Sequence, residues 1–369
     1  MVQEHNVQST SEGNVQSELI HELTPTSYHE WYNRRKHRQN IEDGKPYFNG
    51  PGSIPEPTYH SPSKLLQCHR KVTYDQLNAP EETSDPDGIF WVGTLFEERI
   101  AFPFLRSVAS NADAYVRRND WIDFQVETRV GEIQFTGSAD PVIVDEESNP
   151  ILPTEIKTKS SLDHVSKSSR IHRAQLHAYM VGLSAKYDVE LTKGVIIYGC
   201  RKSLEVKIFH VEFDEAFWHD VVLEWATNHT EYRLEERLPP SNPEYGWECN
   251  YCSFRERCGR GSRPISDSPS EGLLPNFTGY PREKLLDYLD ANEDARLTPS
   301  LAHAYPSFVD EYGAFDWLCE RCETSHPWDT VSPGKPTQTP PRCPDCSEKG
   351  RVSSLRGPSP LEQSRGGYQ

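Results

Sequence analysis

Four cysteines, spread over more than half of the chain, constrain its fold more than any other feature. Cys68 stands alone near the start, whereas Cys249, Cys252 and Cys258 form a C-x₂-C-x₅-C cluster beyond the middle. The chain has 9 cysteines, and all but Cys200 fall into two sets of four, a pattern that favours metal ligation over disulfides. We therefore expect a metal group to fasten the two ends of one domain together.

Composition limits the size and setting of the fold. The chain has 369 residues, 29 prolines and 35% hydrophobic residues, enough for one medium-sized core and a small appended module. It shows neither a membrane-length apolar run nor the start of a signal peptide, so we expect a cytoplasmic protein without membrane contact. The net charge of −17 is diffuse, as in halophilic proteins that stay soluble through hydrated carboxylates.

Turn signals and apolar periodicity divide the chain. We expect, in order, a polar and partly disordered extension with one basic helix, a core domain, a linker, a small helical segment with the second cysteine set, and a disordered tail: 1–60, 61–262, 263–275, 276–350 and 351–369. In the core, the pattern predicts a helix carrying Cys68, a helix that Pro103 ends or kinks, a three-stranded meander, a long helix, two strands and a last helix. The fold class is α/β, with an α-β-β-β-α-β core and flanking helices.

Asp140, Glu155 and Lys157 form a pattern suited to phosphodiester hydrolysis. Glu155 and Lys157 stand two apart on a predicted strand, so their side chains share one face. Two carboxylates from adjacent strands can hold Mg²⁺ or Mn²⁺, and a lysine can orient the water or stabilise negative charge. A plain surface salt bridge is the alternative, because D-x₁₄-E-x-K alone is a common pattern.

The surroundings of this pattern resemble the PD-(D/E)XK nucleases, and more narrowly their RecB-like branch. After GSAD and EIKTK, Gln175 and Tyr179 match the branch's Q-x₃-Y motif. They lie one helical turn apart, able to reach substrate or buttress Lys157, although a core aromatic is the other interpretation of Tyr179. Gly93-x₃-Glu97 stands where the family has G-x₃-H, so the resemblance implies Glu97 as a metal ligand; an exposed acid is the alternative.

The cysteines resemble those of the iron-sulfur subset of RecB-like nucleases, which includes the CRISPR-associated nuclease of this type and the AddB nuclease domain. The resemblance covers residues 61–260 and implies a [4Fe-4S] cluster on Cys68, Cys249, Cys252 and Cys258. Zinc remains open there, because spacing does not distinguish the metals. The second set has zinc-ribbon spacing, and ribbons bind DNA or protein or only stabilise a short segment: Cys319, Cys322, Cys343 and Cys346.

Together the motifs predict a Mg²⁺- or Mn²⁺-dependent deoxyribonuclease. Asp140, Glu155 and Glu97 would hold the cation, and Lys157 would act on the water and the scissile phosphate. By resemblance, the substrate is DNA with a single-stranded end, cut exonucleolytically in repair, recombination or CRISPR-type processing. The alternative is a non-catalytic DNA-binding or adaptor protein that meets its partners through the zinc ribbon. The intact acid and lysine set argues against that alternative.

Overall fold

The computed structural model describes most of the chain. The described residues are 19–42, 54–77, 79, 81–82, 87–235, 237–255, 257–261, 274, 282–292, 294–332, 341–358 and 362–363. The chain forms two compact units, residues 1–51 and residues 52–369. Within the described ranges, no helix combines the length and apolarity that a bilayer crossing requires. Most of the linker expected at 263–275, and parts of the expected disordered ends, lie outside these ranges.

The first unit contains the expected basic helix, α1 (Pro25–Glu42). It begins with a reciprocal cap, in which the Ser27 amide donates to Thr24 Oγ1 at 3.1 Å and the Thr24 amide donates to Ser27 Oγ at 3.0 Å. The Arg35 guanidinium lies 5.6 Å from the centroid of the Trp31 ring. The helix therefore presents aromatic and cationic side chains on neighbouring turns.

The second unit is an α/β fold with two main sheets. In chain order its core elements are β1 (Tyr59–His60), α2 (His69–Gln76), α3 (Asp87–Phe96), α4 (Phe102–Ser110), β2 (Tyr115–Arg117), β3 (Asp120–Thr128), β4 (Gly131–Ala139), β5 (Val142–Val144), β6 (Pro150–Lys159), α5 (Arg170–Tyr187), β7 (Lys193–Cys200), β8 (Val206–Glu212), α6 (Glu215–Phe217) and α7 (Glu224–Leu234). One sheet has the order β1-β4-β3, and the other has the order β2-β5-β6-β7-β8. Strands β6 and β7 are parallel, joined by α5 as parallel pairs require. The predicted α/β class and the succession of the long elements are confirmed, and two short strands, β2 and β5, add to the three predicted before α5.

The predicted single meander is wrong, because the chain changes sheets at Asp140 and Pro141. Strands β3 and β4 pair along their whole length, whereas β5 pairs with β6 in the other sheet. Pro141 has no backbone N–H to continue a ladder, and its carbonyl instead accepts a hydrogen bond from Thr154 Oγ1 at 2.5 Å. Asp140 consequently lies at the junction of the two sheets.

Helix α5 is enclosed by the core. Every residue from Ala174 to Met180 is buried, so the helix contacts protein on nearly all sides. It ends at Tyr187, where Asp188 adopts a left-handed conformation with φ of 54°. Cys200, at the end of β7, is buried as expected of a small apolar side chain.

Two predicted helices differ in detail from the structure. The first is broken at Leu66, whose φ of 59° is left-handed, and α2 starts only at His69, so Cys68 precedes the helix rather than lying within it. The second passes through a π-helical turn, Glu97–Ala101, and continues to Ser110. Pro103 neither ends nor breaks it, because proline is tolerated in the first turn of the α-helix that follows.

The C-terminal part contains short helices followed by a β-hairpin. Its elements are α8 (Arg282–Ala291), α9 (Pro299–Ala304), α10 (Val309–Tyr312), β9 (Trp317–Cys319), β10 (Thr324–His326) and α11 (Pro344–Glu348). Leu285, Leu289, Leu297 and Leu301 form a core of their own beneath the helices. The hairpin and α11 carry the second cysteine set.

Candidate active site

The junction of the two sheets brings Asp140 next to β6. The Ile156 amide donates a hydrogen bond to Asp140 Oδ2 at 2.7 Å, which holds this carboxylate beside its two neighbours on the strand. Glu155 is fully buried, and the Lys157 ammonium forms an ion pair with its Oε1. The period of two along β6 thus places Glu155 and Lys157 together, as the sequence predicts.

Burial dominates the electrostatics of these residues. It raises the pKa of Glu155 well above its usual range, and the nearby Asp140 carboxylate adds to the rise. Burial also raises the pKa of Asp140. Burial alone would lower the pKa of Lys157, but the Glu155 and Asp140 carboxylates raise it instead, so the lysine stays charged. The pair of acids therefore needs more positive charge than one lysine supplies.

The buried Glu155 carboxylate fits a divalent cation. Both of its oxygens are inaccessible to solvent, and the Lys157 ammonium lies against Oε1. Two buried carboxylates that share one lysine are costly unless a further cation satisfies them, and oxygen ligands suit Mg²⁺ and Mn²⁺. Glu155 and Asp140 are the residues that would hold such an ion.

Glu97 lies in the π-helical turn, close enough to Asp140 and Lys157 for their charges to act on it. Burial raises its pKa to about 7, and the Asp140 carboxylate contributes to that rise. Phe96, just before it, packs its ring directly over Gly199 of β7, which fixes this turn against the sheet. Among the described residues, no three carboxylates have ligand atoms that all lie within 4.8 Å of one another, so a ligand role for Glu97 stays a prediction.

Gln175 and Tyr179 lie on α5, beneath the Asp140 and Glu155 carboxylates. Both are buried, and Gln175 Nε2 donates to the Tyr179 hydroxyl at 2.5 Å. Burial raises the pKa of Tyr179 well above its usual range, and the Glu155 and Asp140 carboxylates add to the shift. Tyr179 is thus both a core aromatic and a neighbour of the acids, too deep to touch a substrate.

Sequence reasoning missed Tyr198, which stands opposite Lys157 in the parallel pairing of β6 and β7. Its hydroxyl accepts a hydrogen bond from the Ser169 amide at 2.9 Å and lies 2.7 Å from His172 Nδ1. The Lys159 ammonium lies 4.8 Å from the centroid of its ring. In the sequence Tyr198 is part of the apolar run GVIIYG, so its position next to Lys157 becomes apparent only from the strand register.

The first cysteine set gathers around one cavity. Cys68, Cys249, Cys252 and Cys258 all line it, together with Tyr74 and Phe254. Burial raises the pKa of the Cys252 thiol to about 11. The four sulfurs do not all lie within 4.8 Å of one another.

The second cysteine set is more compact. Its four sulfurs all lie within 4.8 Å of one another, with Sγ–Sγ distances of 3.7 Å between Cys319 and Cys346 and 3.6 Å between Cys322 and Cys343. A tetrahedral zinc with Zn–S bonds of about 2.3 Å requires sulfurs about 3.8 Å apart. The Cys346 amide also donates to Cys343 Sγ at 3.4 Å. The spacing fits one tetrahedral metal ion.

Comparison with known proteins agrees with this geometry. The sequence profile of the PD-(D/E)XK nuclease superfamily matches residues 47–259, which contain the acids, Lys157 and the first cysteine set. The solved structure of SSO0001 is 19% identical, with a TM-score of 0.39 over 63% of this chain and 96% of that one, a likeness too slight to support an argument. No curated protein matches the chain. The family match spans more than half of the residues, and the chain therefore belongs to the PD-(D/E)XK nuclease superfamily.

Proposed function

We propose that the protein is a Mg²⁺- or Mn²⁺-dependent deoxyribonuclease that trims DNA with single-stranded ends. The observation that carries this proposal is the fully buried Glu155 carboxylate, which lies beside the second buried acid, Asp140, and has the Lys157 ammonium against its Oε1. A protein that only bound nucleic acid would gain nothing from such a costly arrangement. Membership of a nuclease superfamily supports hydrolysis of a phosphodiester as the reaction.

The role that we propose for each residue follows from how deeply its side chain is buried. Asp140 and Glu155 hold the cation, with Glu97 as the third carboxylate, and a bound divalent cation supplies charge neutralisation and a more acidic water. Lys157 keeps about a third of its side chain exposed, so its ammonium can touch the scissile phosphate or the attacking water. Gln175 and Tyr179 are buried and act as positioning residues under Glu155.

For the cysteines we propose a [4Fe-4S] cluster in the first set and zinc in the second. The sulfurs of the second set have the spacing of a single tetrahedral ion, whereas those of the first set stand farther apart around a cavity, as four separate irons require. Arg70 adds to the closure, because its Nε donates to the Pro239 carbonyl at 2.7 Å and its Nη1 to the Cys258 carbonyl at 3.2 Å. The cluster would then staple α2 to the end of the nuclease domain, residues 61–262.

The zinc ribbon, within residues 276–350, is proposed as a separate module that contacts DNA or a protein partner.

All 9 cysteines are free thiols in the structure, and ligand sets of this kind persist in a reducing compartment, so we propose that the protein works in the cytoplasm. Repair, recombination and CRISPR-type processing are the proposed settings.

The test is cleavage of end-labelled single-stranded and duplex DNA with Mg²⁺, Mn²⁺ or chelator. Lys157→Ala and Glu155→Gln should each lower kcat by at least about 100-fold, because each removes charge that acts on the reacting phosphate or its metal. The matched control is Lys193→Ala, which removes an exposed lysine at the start of β7 and should leave activity unchanged. Full activity of Lys157→Ala would leave the non-catalytic interpretation in place.

A further inference from the structure

A pair of stacked aromatic rings, one half-buried and one exposed, lies near the catalytic strands. The rings of Tyr245 and Trp247 are nearly parallel, with centroids 5.8 Å apart and an interplanar angle of 15°. Trp247 is 59% exposed, although a large indole gains from burial. The pair therefore offers an open aromatic face to whatever approaches.

Two connections fix the place of this pair. Glu244, the preceding residue, accepts a hydrogen bond from Arg170 Nη1 at 2.8 Å, and Arg170 is the first residue of α5. The Ser169 amide at the same helix end donates to the Tyr198 hydroxyl, and Tyr198 is the register partner of Lys157. Burial raises the pKa of Tyr198 to about 12, with smaller contributions from the Glu155 carboxylate and the nearby Tyr245 phenol. The rings thus stand at the rim of the candidate active site.

The other side of the pair is tied to the first cysteine set. Trp247 belongs to a 3-10 helix, Gly246–Tyr251, that also carries Cys249. The aromatic pair is therefore linked on one side to α5, through Glu244, and on the other to the cysteine cavity, through Cys249.

The charge around the rings selects the class of ligand. Arg170, which pairs with Glu244, is about half exposed, Lys159 lies against the Tyr198 ring, and Lys157 keeps about a third of its side chain exposed, so cationic side chains lie between the rings and the catalytic acids. Phosphates suit these cations, and a base suits an open aromatic face. In a duplex both faces of each base are covered by neighbours, so a single strand is what such a site can stack.

We propose that Tyr245 and Trp247 form a stacking platform that holds a base of the single-stranded DNA end beside the catalytic carboxylates. The proposal rests on the proposed nuclease function and specifies how the protein binds its DNA substrate. It also gives the first cysteine set a role in binding, because the metal group would hold the platform in place.

The test measures binding separately from cleavage. Affinity for a fluorescein-labelled oligothymidylate and for a blunt duplex is measured by anisotropy without added divalent cation. Trp247→Ala should weaken oligothymidylate binding by about tenfold and leave duplex binding within about twofold. Trp247→Phe should recover most of the affinity. Trp121→Ala, which removes a 58% exposed tryptophan from β3 in the other sheet, is the matched control and should change neither affinity.

Cleavage assays and iron content complete the design. Trp247→Ala should raise KM for single-stranded DNA, keep kcat within about twofold and retain its iron, which separates lost stacking from a damaged cluster. Unchanged oligothymidylate affinity, or an equal loss with duplex, would overturn the platform. If the unaltered protein binds single strands through Trp247 but cleaves nothing, the proposed function fails and the platform stands.

Discussion

Replacing Gly199 with alanine tests how the sheet positions the π-helical turn. A Cβ at Gly199 would lie 2.1, 2.4 and 2.6 Å from Cζ, Cε2 and Cε1 of the Phe96 ring. Carbon atoms in contact stand about 3.5–4.0 Å apart, so the ring must retreat by more than 1 Å. Phe96 is only 5% exposed and packs with Ile156 and Ile197, which leaves it little room to move.

The expected cost is about 2 kcal/mol in the free energy of unfolding, within the range of about 1–3 kcal/mol typical of overpacked cores. Activity should suffer separately, because Glu97 follows Phe96 directly and moves with it. A misplacement of about 1 Å can cost about 100-fold in rate. Cleavage should therefore fall by more than the loss of stability alone explains.

Urea unfolding of the metal-loaded protein, followed by circular dichroism, provides the measurement. In a double-mutant cycle, Phe96→Ala alone should cost about 3 kcal/mol, and Gly199→Ala should then cost less than about 0.5 kcal/mol because the clash is gone. The control is Gly93→Ala, whose Cβ would meet only Thr158 Oγ1 at 3.8 Å and which should be neutral or slightly stabilising. Additive costs in the cycle, or a neutral Gly199→Ala, would refute the reasoning.

Three further outcomes are expected. Protein prepared without oxygen should be brown, and Cys252→Ala should remove iron but not zinc in elemental analysis; iron that survives the substitution contradicts the cluster assignment. Burial, with smaller contributions from Arg233 and His69, lowers the pKa of His60 to about 3. The contribution of His60 to the free energy of unfolding should therefore be fully present above about pH 6.5 and be lost as the pH falls towards 3. His60→Phe should flatten that fall in urea titrations, and an equal slope would argue against it. Rising KCl should raise the melting temperature, since salt screens the −17 net charge; a steady decrease would mean that the acidity serves another purpose.

Local periodicity was sufficient to predict the long elements of the core and the neighbourhood of Glu155 and Lys157. Glu155 and Lys157 share a face because a strand has a period of two, and Gln175 and Tyr179 meet because a helix returns after four residues. These relations depend only on residues close in sequence. Asp140 belonged to the same residue pattern, and the resemblance added Glu97; in the structure the Asp140 carboxylate raises the pKa of both Glu155 and Glu97.

What the sequence did not reveal depends on long-range pairing or on a single backbone angle. The change of sheet at Asp140 arises from the pairing of β5 with β6, and Tyr198 reaches the site through the register of β7. Cys68 leaves its predicted helix because Leu66 takes a left-handed conformation, which no apolar pattern signals. The π-helical turn at Glu97 is equally invisible to a 3.6-residue period.

The separation of Cys68 from its partners has a consequence for synthesis on the ribosome. Helix α2 emerges early, yet the groups that hold it come last: Trp225 donates to the Gln67 carbonyl at 3.0 Å, and the Cys258 carbonyl accepts from Arg70. During translation the apolar side of α2 stays exposed until nearly the whole domain has been synthesised. The metal group proposed for the first cysteine set could accordingly bind with all four cysteines only after Cys258 has been translated.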